Sequence, residues 1–227
     1  MIDAAKNRHI NQALSTLYET YRDDYLSAYC AAFRDPDPPR RINEFGIIDV
    51  NRYDADAGVL FVAKETNGWD NHEFASGQLF RRWLEDTSRD GLEGTGHAQR
   101  HPNMWYNLGR WALFLNGAER DIDTIASCKK EALQALGTVA FTNLNKVRGL
   151  RLSKKAYRTL ASADISGQLL REEITLLQPK TIVCCGTSDI FRLHIPAFPG
   201  TVVHMPHPAA RLRPAEMIHR MASQLAC

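Results

Sequence analysis

The chain has 227 residues, of which 44% are hydrophobic and 24% charged; 28 basic against 26 acidic residues leave a net charge of +2. This composition excludes a collagen, a bulk-disordered chain and a coiled coil, and the length suits one large domain. With charge so balanced, only local clustering can point to a charged partner.

Helical spacing of Leu14, Leu17, Tyr18, Tyr21, Tyr25, Ala28 and Tyr29 predicts a helix over 4–33. The stretch Asp35-Pro-Asp-Pro-Pro ends it, because proline removes a donor and blocks helix. Phe45–Val50 reads as a short strand and Gly58–Ala63 as a stronger one, an apolar run between turn signals. Helices are expected at 74–86, 103–117 and 124–136, the last closed by Gly137 as a C-cap. Thr138–Thr142 is the next strand. An amphipathic helix over 164–178 stops at Pro179, and the strand Thr181–Cys185 follows, closed by Gly186. Thr201–Met205 is the last strand and 213–225 the last helix.

Apolar strands alternating with helices predict an α/β fold: three layers, α/β/α, around a central, mainly parallel four-stranded sheet. One domain over 1–227 is expected, with 1–45 a helical N-terminal extension packed on a core of 46–227. In such sheets ligands bind beyond the carboxyl ends of the strands. The residues that follow the strands are therefore the candidates: Lys64-Glu65-Thr66-Asn67, Asn143-Leu-Asn145, Gly186-Thr187-Ser188 and Pro206-His207-Pro208.

Glu65 at a strand end suits an acid that orients water or stabilises a developing cation; a capping or salt-bridged glutamate is the structural alternative. Asn143 offers a donor and an acceptor together, enough to read the edge of an amide-like base, or else it forms a turn. His207, between two prolines, is placed to stabilise an anionic leaving group, or is an ordinary loop histidine. Six basic residues and no acid lie between Lys146 and Ala163: Lys146, Arg148, Arg151, Lys154, Lys155 and Arg158. Arg211 and Arg213 add two more. Phosphate binding is the functional reading and a solvated basic surface the other.

Other signals are weaker. The five cysteines, Cys30, Cys128, Cys184, Cys185 and Cys227, form no Cys-x-x-Cys pair, which argues against a disulfide framework, a zinc ribbon or an iron–sulfur cluster. Reduced thiols in a cytoplasmic protein are expected. Gly91–Gly96 has the wrong spacing for a dinucleotide loop. Glycines before His97 and Pro102 after His101 oppose a helical metal pair, and Gly186-Thr-Ser188 does not complete a nucleophile elbow. No metal and no cofactor are expected. Neither a secretory signal nor the roughly 18-residue apolar run of a membrane span is apparent.

Taken in order, the strand ends resemble those of the uracil-DNA glycosylase superfamily. Val62-Ala63-Lys64-Glu65-Thr66-Asn67 stands where the family has a Gly-Gln-Asp-Pro-Tyr type motif. Val139-Ala-Phe-Thr-Asn143, with Val147-Arg148 behind it, matches the strand that ends in asparagine. Cys184-Cys185-Gly186-Thr187 matches the strand ending in Gly-Ser/Thr, and His207-Pro208-Ala209-Ala210-Arg211 the His-Pro-Ser-Pro-Leu type loop. The resemblance covers about 58–213 and leaves the first 45 residues without a counterpart.

The resemblance implies a DNA glycosylase that flips a damaged, mismatched or modified pyrimidine and hydrolyses its N-glycosidic bond. Glu65 and His207 would be catalytic, the first on the sugar cation and water, the second on the leaving base. Asn143 would read the base, with Asn67, Trp69 and Phe74 lining its pocket. Lys64, Lys146, Arg148, Gly186, Thr187, Ser188, Arg211 and Arg213 would contact DNA, Arg211 as the wedge that fills the vacated stack. Asn67 replaces the tyrosine that closes uracil-specific pockets against a 5-methyl group, so a 5-substituted base is expected to fit. The implied enzyme is monofunctional, monomeric, and serves repair or phage defence. Lys64 beside Glu65 leaves a lyase open. Two further alternatives are a nucleic-acid or nucleotide binder that lost hydrolysis, and a hydrolase of free nucleosides or another small molecule.

Overall fold

The computed structural model describes residues 2–34, 39–64, 66–67, 102–117, 121–149 and 154–226; at 66, 67, 102, 148 and 149 this extends to the backbone alone. The helix expected at 74–86 lies outside them. Helix α1 (Ala4–Phe33) starts where Asp3 accepts from the amides of Ala5 and Lys6, and stops at Arg34, which takes a left-handed conformation. Its tyrosines do what their spacing predicts: Tyr18, Tyr25 and Tyr29 are wholly or almost wholly buried.

Five strands form the main sheet: β1 (Gly46–Ile47), β2 (Val59–Ala63), β4 (Ala140–Asn143), β6 (Thr181–Cys185) and β7 (Thr201–Met205), in the order β1-β4-β2-β6-β7. The four longer strands are all parallel, and β1 adds an antiparallel edge. Every residue of β2 and β4 is buried, as expected of strands covered on both faces. A small second ladder pairs β3 (Thr66–Asn67) with β5 (Arg148–Gly149), continuing β2 and β4 past their ends.

Two helical layers cover the sheet. Helix α1 packs on α5 (Lys154–Ala161) and α6 (Asp164–Leu177), and α6 on α7 (Ser188–His194). On the other side α2 (Pro102–Leu115) packs on α4 (Lys130–Ala135) and on α8 (Pro214–Leu225), which also meets α3 (Ile122–Ser127). The α2–α4 crossing needs Gly109, since a β-carbon there would fall 2.0 Å from the Ala132 carbonyl oxygen. The three-layer architecture is therefore the one the sequence predicts.

One expected helix is broken. The stretch 124–136 is split at Cys128, whose extended backbone turns its carbonyl toward Arg110 Nε at 3.1 Å. Gly137 is not a left-handed cap either; it sits in the 3₁₀ turn Leu136–Thr138.

Both sheet edges are closed by amide side chains. Asn11 of α1 donates to the Ile47 carbonyl (3.0 Å) and accepts from its N–H (2.9 Å). Gln224 of α8 does the same to His204 on β7, at 3.0 and 2.7 Å. No helix among the described residues is long and apolar enough to cross a membrane.

Candidate functional site

The parallel register aligns the strand ends. Ala63 pairs with Asn143, Val62 with Cys184, and Cys185 with Met205. The segments after β2, β4, β6 and β7 thus leave from one edge of the sheet. In the order β4-β2-β6-β7 the chain changes direction between β2 and β6, where such sheets open a crevice. A pocket of about 310 Å³ lies there, lined by Lys64 after β2, Gly186 to Ile190 after β6, and Lys154, Tyr157 and Arg158 of α5.

Several hydrogen bonds fix this edge. The Thr187 hydroxyl donates to the Val62 carbonyl at 2.8 Å, tying the β6 turn to β2. The Gly186 N–H donates to the Met205 carbonyl, also at 2.8 Å. Ser188 Oγ lies 3.0 Å from His204 Nδ1. Burial and the neighbouring Arg192 push the His204 imidazole below its ordinary value. The Lys64 ammonium stands 4.4 Å from the centre of the Tyr157 ring, a cation–π contact that leans it toward α5.

Asn143 ends β4 almost fully buried, and its Oδ1 has no hydrogen-bond partner among the described residues. A buried acceptor left without a donor costs about 1–3 kcal/mol. A ligand that presents an N–H there removes that cost.

His207 lies two residues beyond β7 and is exposed. Its Nδ1 accepts from the Ala209 N–H at 3.1 Å, so the neutral ring carries its proton on Nε2 and donates from there. The loop is held from α2: Asn107 Nδ2 donates to the Pro208 carbonyl at 2.8 Å, and Asn107 Oδ1 accepts from Arg110 at 2.9 Å. Asn107 was not among the sequence candidates. Its only signal is a polar residue inside the apolar run Met104–Leu115.

The remaining candidates divide. Arg211 and Arg213 are exposed beyond the His207 loop. Glu65, Trp69 and Phe74 lie outside the described residues, as do the side chains of Asn67 and Arg148. Lys146 is a correction: it is not a phosphate contact. Its ammonium is wholly buried, 2.5 Å from Glu173 and 2.6 Å from the Thr142 hydroxyl. Burial pushes the Lys146 amine down, and the adjacent carboxylate opposes that shift. Glu173 also accepts from the buried hydroxyl of Tyr18. Among the described residues no cluster of three or more His, Cys, Asp or Glu is arranged to hold a metal.

No curated protein matches the chain. The family model described as the uracil DNA glycosylase superfamily matches residues 50–225, a span that takes in all four strand ends and both helical layers except α1. With that match added to the strand order and the aligned strand ends, the chain belongs to the uracil-DNA glycosylase superfamily.

Proposed function

We propose that the protein is a monofunctional DNA glycosylase acting on a damaged, mismatched or modified pyrimidine. The observation that carries this reading is Asn143: a buried amide at a strand end, in register with the residue two before Glu65, with an acceptor that nothing in the described protein satisfies. Such a group suits the imide or amide edge of an extruded base.

In this reading the base leaves the stack, at a cost of a few kcal/mol that phosphate contacts offset. Lys64, Arg158 and the Gly186–Ser188 turn line the pocket at the sheet edge and supply those contacts. Arg211 fills the vacated space. As the N-glycosidic bond lengthens, positive charge grows on the sugar and negative charge on the base. Glu65 stabilises the first and directs water; the Nε2–H of His207 and the Asn143 amide stabilise the second. The product is an abasic site on an intact strand. Asn67, in place of a tyrosine, leaves volume for a substituent at C5.

The test is alkali cleavage of end-labelled oligonucleotides carrying uracil, mismatched thymine and modified cytosines, in single and double strands. Alkali-labile breaks at one of these bases are expected. Salt-dependent binding with no labile product indicates a binder that has lost hydrolysis, and turnover of free nucleosides without DNA indicates a small-molecule hydrolase. Borohydride trapping of a covalent adduct would instead mark Lys64 as a lyase nucleophile.

A further inference from the structure

Helix α1 lies outside the segment that the family model matches, yet its side chains reach the chain on either side of Asn143. Tyr25 is wholly buried. Its hydroxyl oxygen accepts from the backbone N–H of Lys146 at 2.9 Å. The hydroxyl in turn donates toward the Leu144 carbonyl and Asn145 Oδ1, whose oxygens lie 3.4 and 3.3 Å from its own. Asn145 Oδ1 accepts in turn from the Val147 N–H at 3.2 Å. Backbone bonds to the Ala63 and Lys64 carbonyls (2.9 and 3.1 Å) and from the Asn43 N–H (2.5 Å) also hold this segment; the Tyr25 phenol adds the side-chain anchor at its middle, on the path that starts directly after Asn143 and leads to β5.

The residue before Asn143 is held by α6, through a carboxylate that α1 also grips. Thr142 hydrogen-bonds with Glu173 and with Lys146 Nζ, and Tyr18 of α1 donates to that same carboxylate. A buried ion pair is a poor source of stability compared with packed apolar groups, because both charges must shed water. What it supplies is a fixed geometry. Asn143 is flanked on both sides by groups locked in place, while its own acceptor has no partner among the described residues.

We propose that α1 is a positioning element for the base-reading end of β4, and that Tyr25 is the residue through which it acts. This rests on the assignment of Asn143 as base reader. The Tyr25 hydroxyl holds Leu144–Val147, and through it both the orientation of the Asn143 amide and the approach of β5 to β3, the segment next to Glu65 in the chain. An amide that reads a base edge must be oriented within about 10–20°, and a loop able to shift by one ångström loses that. Tyr25 is a positioning residue, since it acts on the base only through the loop.

The experiment uses the full chain and compares Tyr25→Phe with Asn11→Ala, a control on the same helix whose side chain hydrogen-bonds to Ile47 on β1 and not to the 144–147 segment. For each, four quantities are measured: thermal midpoint, DNA affinity, the single-turnover excision rate constant with enzyme in excess, and amide hydrogen exchange of the 144–149 backbone. Tyr25→Phe is expected to slow excision roughly 10- to 100-fold with unchanged affinity, and to speed exchange in 144–149. Asn11→Ala is expected to lower the midpoint and leave the rate constant and that exchange alone. A purely structural role lowers the folded fraction, and so the reaction amplitude, without changing the rate constant. An unchanged rate for folded Tyr25→Phe overturns the proposal, as does an equal loss in Asn11→Ala. Should Tyr25→Phe not fold, Asn145→Ala carries the same expectations from the other end of the contact. If the wild-type protein excises no base, the glycosylase reading fails by itself. Exchange then decides for positioning: a rise confined to 144–149 in Tyr25→Phe and absent in Asn11→Ala sustains it, and no rise ends it.

Discussion

His207 rests on Gly186: a β-carbon at Gly186 would stand 3.1 Å from the His207 nitrogen and 3.3 Å from its Cα and Cβ. Gly186 also has a φ of +75°, a region that costs other residues about 1–2 kcal/mol. Gly186→Ala is therefore expected to lower stability by about that amount and to push the His207 loop off the β6 end. Excision should fall more than stability does. Urea unfolding and single-turnover kinetics on the same preparation check both, and a variant with wild-type kinetics removes the contact from the mechanism.

Asn143 makes the opposite prediction. Its Oδ1 has no partner to lose among the described residues, so Asn143→Ala should cost little more than the packing of a small side chain. Its excision rate should drop about 10²–10³-fold, the usual effect of removing one preorganised hydrogen-bonding group. Asn143→Asp keeps the shape and exchanges the donor for a second acceptor, and is expected to lose activity on the same scale with an altered base preference. Rates on the panel of modified oligonucleotides read this directly.

Two kinds of basic residue are separated by salt. Lys146→Met leaves Glu173 charged and buried without its counter-ion, and should destabilise by about 3–5 kcal/mol; the double variant Lys146→Met/Glu173→Leu should recover most of that. Neither change should alter the slope of log Kd for DNA against log salt. Lys64→Ala and Arg158→Ala, which line the open pocket, should each reduce that slope by about one with little change in unfolding. Fluorescence anisotropy over a salt series distinguishes the two classes.

Alkaline stability follows from groups buried in their neutral form. Burial above all pushes the Tyr18, Tyr25 and Tyr53 phenols well above their ordinary 10. It also pushes the Cys184 thiol up to about 12 and the Cys185 thiol upward from 9.0. The native state keeps these protons where the unfolded chain loses them, so stability falls as pH rises: first above about 9 through the thiols, then more steeply above about 10 through the phenols. Lys146 acts in the other direction. Its lowered value means that the unfolded chain binds the extra proton, so its contribution rises with pH until about 10.5 and is constant beyond. Urea unfolding from pH 8 to 11.5 should show the steepening, and Tyr25→Phe should remove about 1.4 kcal/mol per pH unit of the slope above pH 10.

The strand ends were legible because a buried parallel strand leaves a plain mark, a short apolar run. Val59–Ala63 and Thr181–Cys185 carry it, and Thr201–Met205, a half-buried edge strand, keeps enough of it at Val202, Val203 and Met205. The β3–β5 ladder carries none, since two residues a side give no pattern and the pairing partner is far along the chain. Lys146 shows where local reading fails. It sits in a run of basic residues that looks like a charged surface, and the carboxylate that neutralises it comes 27 residues later, from α6. Helix α5 was hidden in the same run: Lys154, Lys155 and Arg158 face solvent while Tyr157 and Leu160 are buried. The split at Cys128 depends on Arg110, on a different helix, and no periodicity within 124–136 foretells it.

The amides of Asn11 and Gln224 each occupy both the N–H and the C=O of one residue on an outer strand, Ile47 on one side and His204 on the other. Each therefore plays the part of a missing neighbouring strand, one residue long, at the place where a bare ladder would invite another chain to add itself. A second molecule seeking to extend this sheet must first expel a side chain that is already satisfied at both of its polar atoms. The protein thus carries its own guard against edge-to-edge aggregation, and the helices that furnish it, the first and the last along the chain, must both be docked before that guard is complete.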